Sequence, residues 1–99
     1  MVSLSGECDL TTRAELAAVL ADAVDASSVV VVDLAGLVFI DSSGIHELIV
    51  AHHAARERGG DVYARNASGV VATVLEVTGV GELLRPPGDR DGIDQDRAL

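Results

Sequence analysis

Asp41, Ser42 and Ser43 are the residues of this chain whose types and spacing are best suited to chemistry. They bring a carboxylate and two hydroxyl groups together, and Gly44 follows them directly. An apolar run at residues 29–32 precedes this segment and an amphipathic stretch follows it, so a buried strand should lead there into a helix. That is where α/β proteins hold their sites. The three side chains could cap the helix, accept a phosphoryl group or act as a nucleophile.

Nucleophilic catalysis has little support in the surrounding sequence. Capping is the simplest role, because Asp and Ser are favourable residues at helix starts. A serine hydrolase needs Gly-x-Ser-x-Gly, whereas Ile40 and Asp41 occupy the positions of the first glycine. Gly79-Val80-Gly81 lacks the third glycine of a dinucleotide fingerprint and follows a helical pattern instead of a strand. We therefore predict a protein that is not an enzyme and that binds no cofactor.

The histidines do not have the spacing of a metal site. His46-Glu47 begins like the zinc-protease motif, but that motif needs a second histidine four residues later on the same helical face. His52 follows after six residues and points elsewhere, while His53 lies about 10 Å along the helix from His46. We predict no bound metal and a half-buried, hydrogen-bonded His52.

Composition and charge restrict the kinds of partner. The chain has 99 residues, a formal net charge of −9 and no lysine, and its aromatic residues are Phe39 and Tyr63 alone. Nucleic-acid binding needs a basic surface and aromatic stacking platforms, so the composition argues against it. A protein partner should instead offer a basic surface.

The cysteine content and the lengths of the apolar runs predict a cytoplasmic protein. Cys8, the single cysteine, cannot form an internal disulfide, which fits a reducing compartment, and we expect it to be a small buried residue. No stretch approaches the roughly 20 apolar residues that span a bilayer, and no targeting segment is evident. We predict no membrane insertion, and the oligomeric state stays open.

Alternating strand and helix patterns should position residues 41–44. Apolar and polar residues alternate over residues 1–5, and residues 29–34 form a β-branched run that is typical of a strand covered on both faces. Residues 61–66 predict a third strand. Helical spacing predicts helices over residues 12–26, beginning with a Thr12/Glu15 capping box, residues 43–58, ending at Gly59-Gly60, and residues 68–78, between Ser68 and Gly79.

The order of these elements predicts an α/β fold with a mostly parallel sheet of about four strands and helices packed around it. Residues 35–40 should be a connection, and residues 83–85 a poor last strand, because Pro86-Pro87 cannot donate to a ladder. The edge of the sheet at residues 83–85 should therefore be truncated. One domain should occupy residues 1–85, and residues 86–99 should form an acidic, disordered tail with at most one helical turn near its end.

Several segments resemble the STAS domain, and in particular the bacterial anti-sigma-factor antagonists, also called anti-anti-sigma factors. The central likeness runs from Asp33-Leu34 through a glycine and a short apolar run to Asp-Ser-Ser-Gly-Ile at residues 41–45. Further motifs similar to those of the family stand at residues 6–10, at Gly59-Gly60 and at residues 74–80. The resemblance extends over residues 4–84, approximately. The family fold commonly has a further strand before the one predicted at residues 1–5, so the resemblance implies that this edge of the sheet is truncated as well.

The resemblance implies a phosphorylatable switch of protein binding. In the family, the serine directly before the glycine accepts phosphate from an anti-sigma-factor kinase, which assigns that role to Ser43, with Ser42 as a secondary acceptor. Asp41 would shape the loop. The unmodified protein would bind the anti-sigma factor and free a sigma factor, and phosphorylation of Ser43 would end that binding, thereby regulating transcription.

The helix after Ser43 narrows the surface that a partner would cover. The outward face of this helix carries one apolar side chain, Val50, among polar residues, and a partner could cover it. A solvent-exposed face with one scattered valine and no partner is an equally good interpretation. His46 departs from the family pattern, which usually has a small residue there, and its ring could make binding pH-sensitive. The predicted partner-binding residues are Asp41, Ser42, Ser43, Gly44, His46, Val50 and His53.

Two other functions stay open at this point. A STAS-type fold can serve as a scaffold subunit, such as the small partner of a lipid-transport ATPase, in which the same loop contacts a helical partner without phosphorylation. A small-molecule or nucleotide-binding domain is the third interpretation, but the chain has no phosphate-binding loop to support it.

Overall fold

The computed structural model describes residues 1–86, which form three strands and four helices. The elements are β1 (Val2–Cys8), α1 (Arg13–Ala26), β2 (Val29–Ile40), α2 (Ser42–Glu57), β3 (Asp61–Arg65), α3 (Gly69–Thr78) and α4 (Val80–Leu83). The strands pair in the order β1-β2-β3, and both pairs are parallel. This architecture confirms the predicted α/β class, with a parallel sheet and helices packed around it.

The described part of the chain has three strands where about four were expected. Residues 83–85, predicted as a poor last strand, instead end α4 and lead into Pro86. Gly79 has φ 78, the left-handed conformation that ends α3, and α4 begins directly after it. The N–H of Ala64 donates to the carbonyl of Leu84 at 2.9 Å, which links this segment to β3 without forming a ladder.

Both β1 and β2 run further than the sequence pattern indicated. β1 continues through Gly6, which has φ 76, as far as Cys8, and β2 continues through residues 35–40, which were predicted to be a connection. The two extensions pair with each other, and register shifts between Ser3 and Ser5 and after Gly6 accommodate them. These shifts break the alternation of buried and exposed residues, so the sequence pattern did not reveal the extended strands.

The sheet has one well-buried face. Val30 and Val32 are at most 3% exposed, whereas Val29 on the opposite face is 52% exposed. The expectation that β2 is covered on both faces is therefore wrong for this part of the strand. Helices α1 and α2 contact each other and the sheet, and their inward residues Leu20 and Leu48 join the buried valines in one core of small aliphatic side chains.

Gly59-Gly60 follows the end of α2, as predicted, for two separate reasons. Gly59 has φ 82, a left-handed conformation that glycine adopts without strain. A Cβ atom at Gly60 would lie 1.9 Å from the carbonyl oxygen of Ser28, so no larger residue fits there. The N–H of Asp61 donates to that same carbonyl at 2.9 Å. The glycine pair therefore lets β3 begin in contact with the start of β2.

The predictions about membrane insertion and about the C-terminal tail can be compared with the structure only for residues 1–86. None of the helices in this range is long and apolar enough to cross a membrane. The acidic tail predicted for residues 86–99, with its helical turn, lies outside the described residues apart from Pro86.

Candidate functional site

Residues 41–44 lie at the edge of the sheet where β1 and β2 both end. Cys8 and Ile40, the last residues of β1 and β2, are register partners, so the loops that follow the two strands lie side by side. The N–H of Asp41 donates to the carbonyl of Cys8 at 3.0 Å. This hydrogen bond anchors the loop before α2 to the end of β1, and it confirms the predicted strand-to-helix position.

Asp41 is the residue that caps α2. Its Oδ1 accepts hydrogen bonds from the N–H groups of Ser43, at 2.9 Å, and Gly44, at 3.2 Å. Its own carbonyl accepts from the N–H of Ile45 at 3.0 Å, which begins the helical ladder. The cap satisfies two of the N–H groups that the start of a helix leaves without intrahelical partners. Among the roles left open by the sequence, capping therefore belongs to the aspartate.

The hydroxyls of the two serines take no part in this cap. Ser42 is exposed and Ser43 is half-buried in the first turn of α2. Within residues 1–86, neither hydroxyl makes a hydrogen bond to the protein, because the bonds at Ser43 use its main-chain N–H. Either hydroxyl can therefore be modified without loss of a bond that holds the helix start, at a helix end where the dipole favours negative charge.

Gly44 has a packing role that the sequence did not reveal. It is buried, and a Cβ atom added there would lie 2.8 Å from Cγ1 of Ile40 and 3.0 Å from both Cβ and the carbonyl oxygen of Cys8. The glycine therefore lets α2 start in direct contact with the ends of β1 and β2. Of the predicted partner-binding residues, Gly44 is the one that shapes the site from beneath its surface.

Cys8 is 6% exposed, as expected for a small buried residue. Burial raises the pKa of its thiol, and the negative charges of Asp9 and Asp41 raise it further. The thiol is therefore protonated at neutral pH and packs as an apolar side chain.

The loop between β1 and α1 leaves the same edge of the sheet and is held by Asp9. Its Oδ1 accepts from the hydroxyl of Thr11 at 2.6 Å and from the N–H groups of Thr11 and Thr12, at 2.9 and 3.3 Å. The Thr11 hydroxyl is the main cause that lowers the pKa of Asp9. The predicted Thr12/Glu15 capping box is wrong, because the Thr12 hydroxyl donates back to the carbonyl of Glu7 at 3.1 Å.

The outward stripe of α2 is exposed as predicted at His46, Val50 and His53. Val50 is 47% exposed and borders a groove of about 270 Å³ between α1 and α2. Small apolar side chains such as Ala17 and Ala54 line most of this α1–α2 groove. The stripe and the exposed serine at the start of α2 therefore share one helix. That this surface binds a partner stays a prediction.

An ion pair next to the site was missed by the sequence analysis. Nε of Arg13, the first residue of α1, donates to Oε2 of Glu47 on α2 at 2.7 Å. Glu47 is 9% exposed, which is unusual for a carboxylate unless it is paired. The two residues are 34 positions apart, so no local pattern reveals their contact. The four-residue spacing between Ser43 and Glu47 is the signal that could have drawn attention to the carboxylate.

His52 is more deeply buried than the half-buried position predicted for it. It is 7% exposed, and its Nδ1 has no hydrogen-bond partner in the part of the chain that the structure describes. Burial lowers the pKa of His52, and the charges of His53 and Arg56 lower it further, while the negative charge of Asp61 and a hydrogen bond with the main chain of Val62 act in the opposite direction. The ring is therefore neutral at neutral pH.

The structure does not bring metal-ligating side chains together within residues 1–86. Among these residues, no group of three His, Cys, Asp or Glu side chains has the arrangement of a metal site. His52 and His53 are in edge-to-face contact at 5.7 Å between ring centroids, with the His52 ring buried and the His53 ring exposed.

Comparison with known proteins gives a matching family model and similar solved structures, among them two of SpoIIAA. A family model described as "Mlab, STAS domain" matches residues 1–86. The anti-sigma factor antagonist SpoIIAA in its unphosphorylated form is 23% identical, with a TM-score of 0.73, over 98% of this chain and 86% of that chain. The Bacillus cell fate determinant SpoIIAA in its phosphorylated form is 22% identical, with a TM-score of 0.64, and the match covers 94% of this chain and 86% of that chain. No curated protein matches the chain.

Proposed function

Because this chain belongs to the STAS domain family, we propose that it is an anti-sigma-factor antagonist, a binding protein without enzyme activity. It binds an anti-sigma factor that is also a serine kinase while Ser43 is unmodified. The bound anti-sigma factor then no longer restrains its sigma factor, and phosphorylation of Ser43 reverses this state. The proposal draws its function from the similarity to SpoIIAA, whose fold the chain shares.

The observation that carries the proposal is the division of roles between Asp41 and Ser43. Asp41 supplies the cap of α2, and the Ser43 hydroxyl makes no hydrogen bond within residues 1–86. A phosphoryl group on Ser43 therefore removes no bond that the fold uses. The N-terminus of α2 also tolerates the added charge of about −1.5 to −2, because the helix dipole is positive there.

The same geometry explains how phosphorylation would end binding without a large rearrangement. A partner surface that packs against a small hydroxyl has no room for three phosphate oxygens, and covering them removes their hydration. Asp41 stands two residues before Ser43 and adds its own negative charge to that of the phosphate. The exposed stripe of His46, Val50 and His53 would supply the remaining contacts.

A phosphorylation and binding experiment tests the proposal. The protein is incubated with a candidate anti-sigma kinase and ATP, the phosphorylated residue is mapped, and the affinity for that kinase is measured before and after modification. We expect phosphate on Ser43, its loss in Ser43→Ala and its retention in the matched control Ser42→Ala. Absence of phosphate from Ser43, or equal affinity of wild type and Ser43→Glu, would overturn the proposal.

A second candidate function is a scaffold subunit of a larger complex, such as a transporter ATPase. The description of the matched family, "Mlab, STAS domain", favours this second candidate, because it names Mlab and mentions no sigma factor. In this case the start of α2 contacts a helical partner and Ser43 is never modified. Co-purification with a transporter ATPase, together with full function of Ser43→Ala, would favour this candidate over the antagonist.

A further inference from the structure

The Arg13–Glu47 ion pair joins the first turn of α1 to α2. The carboxylate is almost buried, with its side chain 10% exposed, whereas the Arg13 side chain is 45% exposed. Arg13 uses Nε for this contact, at 2.7 Å, and its two Nη groups make no hydrogen bond within residues 1–86. Within residues 1–86 the guanidinium therefore uses one of its five N–H donors, so a single hydrogen bond holds it to Glu47 and a more highly charged anion can displace that carboxylate.

Helix geometry places this ion pair next to Ser43. Glu47 follows Ser43 by four residues, so the two share a face of α2 with their Cβ atoms about 5–6 Å apart. Side chains on a helix lean towards its N-terminus, which brings the Glu47 carboxylate towards the level of Ser43. α1 and α2 also begin at the same edge of the sheet, because each follows a parallel strand. The guanidinium therefore lies beside the first turn of α2.

A phosphoryl group on Ser43 would compete with Glu47 for this guanidinium. A phosphoserine carries about −1.5 to −2 charges and three strong acceptor oxygens, against a single charge on the carboxylate. Arginine binds phosphate with two parallel hydrogen bonds, a geometry that its Nη groups are free to form. The other charged or titratable groups near this position, at the two loops and the first turns of α1 and α2, are Cys8, Asp9, Glu15, Asp41 and His46.

We propose that Arg13 is the residue through which the switch responds to phosphate: it pairs with Glu47 while Ser43 is unmodified and moves to the phosphoserine afterwards. This inference rests on the proposed phosphorylation of Ser43. Glu47 lines the α1–α2 groove, so the exchange leaves a nearly buried carboxylate without its cation on the wall of that groove. Phosphorylation thereby alters a surface away from the modified serine.

The test uses phosphoserine incorporated genetically at position 43, so that the result does not depend on any kinase. Titration by ³¹P NMR follows the second ionisation of the phosphate. It is measured in the phosphoserine protein that keeps Arg13 and in the same protein carrying Arg13→Gln, Arg13→Lys or Arg58→Gln. Arg58 pairs with Asp25 across the same two helices at their other end, which makes Arg58→Gln a matched control. We expect the midpoint of the phosphate ionisation to lie at lower pH in the protein that keeps Arg13 than in Arg13→Gln. The midpoint of Arg13→Lys should lie between the two, because lysine keeps the positive charge.

Two results would overturn the inference. The first is the same midpoint of phosphate ionisation in the protein that keeps Arg13, in Arg13→Gln and in Arg58→Gln, provided that circular dichroism shows each protein to be folded. The second needs no substitution at Arg13: the ¹⁵Nε–H resonance of Arg13 should shift when phosphoserine replaces Ser43, and an unchanged resonance contradicts the exchange. If no kinase modifies Ser43 but the titration depends on Arg13, the proposed function fails and the phosphate response of Arg13 stands.

Discussion

Gly44 and Cys8 approach each other so closely that a Cβ atom at position 44 would lie 3.0 Å from the Cβ of Cys8. The same atom would lie 2.8 Å from Cγ1 of Ile40, closer than real Cβ atoms come, so a side chain at position 44 would push the start of α2 away from the ends of β1 and β2. The glycine of the Asp-Ser-Ser-Gly segment therefore fixes how far Ser43 stands above the sheet. Packing at this position supports the site from below.

Gly44→Ala should destabilise the protein by about 1–3 kcal/mol, because the added methyl group overpacks a closed contact. Urea unfolding measures the change in the free energy of unfolding. Gly81→Ala is the control, since a Cβ atom there would lie 3.4 Å from the Cβ of Leu75, an ordinary contact distance. Gly81→Ala should leave stability unchanged or raise it by up to about 1 kcal/mol, because alanine is favoured over glycine within a helix such as α4. Equal effects of the two substitutions would contradict the close contact at Gly44.

Asp41→Ala should lower the free energy of unfolding by about 0.5–2 kcal/mol, the usual cost of losing a helix cap. Ser43→Ala should change it by no more than about 0.5 kcal/mol, because the Ser43 hydroxyl makes no hydrogen bond within residues 1–86. Hydrogen exchange adds a local measurement: the amides of Ser43 and Gly44 should exchange faster in Asp41→Ala. A larger loss of stability in Ser43→Ala than in Asp41→Ala would reverse the assigned roles.

Helix ends and element order could be predicted because their causes are local. Gly79, with φ 78, ends α3 where the sequence placed its end, and Gly59-Gly60 ends α2 for reasons of conformation and space. A capping residue and the segment it caps are also close in sequence. For this reason the strand-to-helix position of residues 41–44 was predictable, although the sequence could not show whether Asp41 or a serine made the cap.

Features that depend on distant residues could not be predicted. The second half of β2 is a strand because it pairs with the extension of β1, and the register shifts there remove the alternation that identifies strands. The failed cap at Thr12 is a local exception: Asp9 accepts from the N–H of Thr12 and the Thr12 hydroxyl donates to the carbonyl of Glu7, and the Thr12/Glu15 spacing reveals neither bond. The Arg13–Glu47 contact joins two helices that each look like an ordinary amphipathic segment.

The two ion pairs that join α1 to α2 should differ in strength. Asp25 and Arg58 have side chains 71% and 54% exposed, so their coupling energy should be below about 0.5 kcal/mol. Glu47 is nearly buried, and its coupling to Arg13 should reach about 1 kcal/mol, because solvent screens it less. Double-mutant cycles with alanine measure both energies in the unphosphorylated protein. A coupling at Asp25–Arg58 that equals or exceeds the one at Arg13–Glu47 would contradict this ranking.

The protein should lose stability as the pH falls from 7.5 to 5.5, and His52 should be the main cause. Burial lowers the pKa of His52 in the folded protein, whereas the unfolded chain has the ordinary histidine value of about 6.5. Below that pH the unfolded state binds a proton that the folded state does not, so protonation favours unfolding. One such proton changes the free energy of unfolding by at most about 1.4 kcal/mol per pH unit.

Urea unfolding across this pH range, in wild type, His52→Gln and His53→Gln, assigns the effect to one ring. His52→Gln should flatten the pH dependence, even if its stability at pH 7.5 is lower, and His53→Gln should keep most of the slope because that ring is exposed. Hydrogen bonds lower the pKa of both Asp9 and Asp33, so the stability that these carboxylates add is lost only at more acidic pH, below their ordinary range. An unchanged slope in His52→Gln would show that the buried ring does not control stability between pH 5.5 and 7.5.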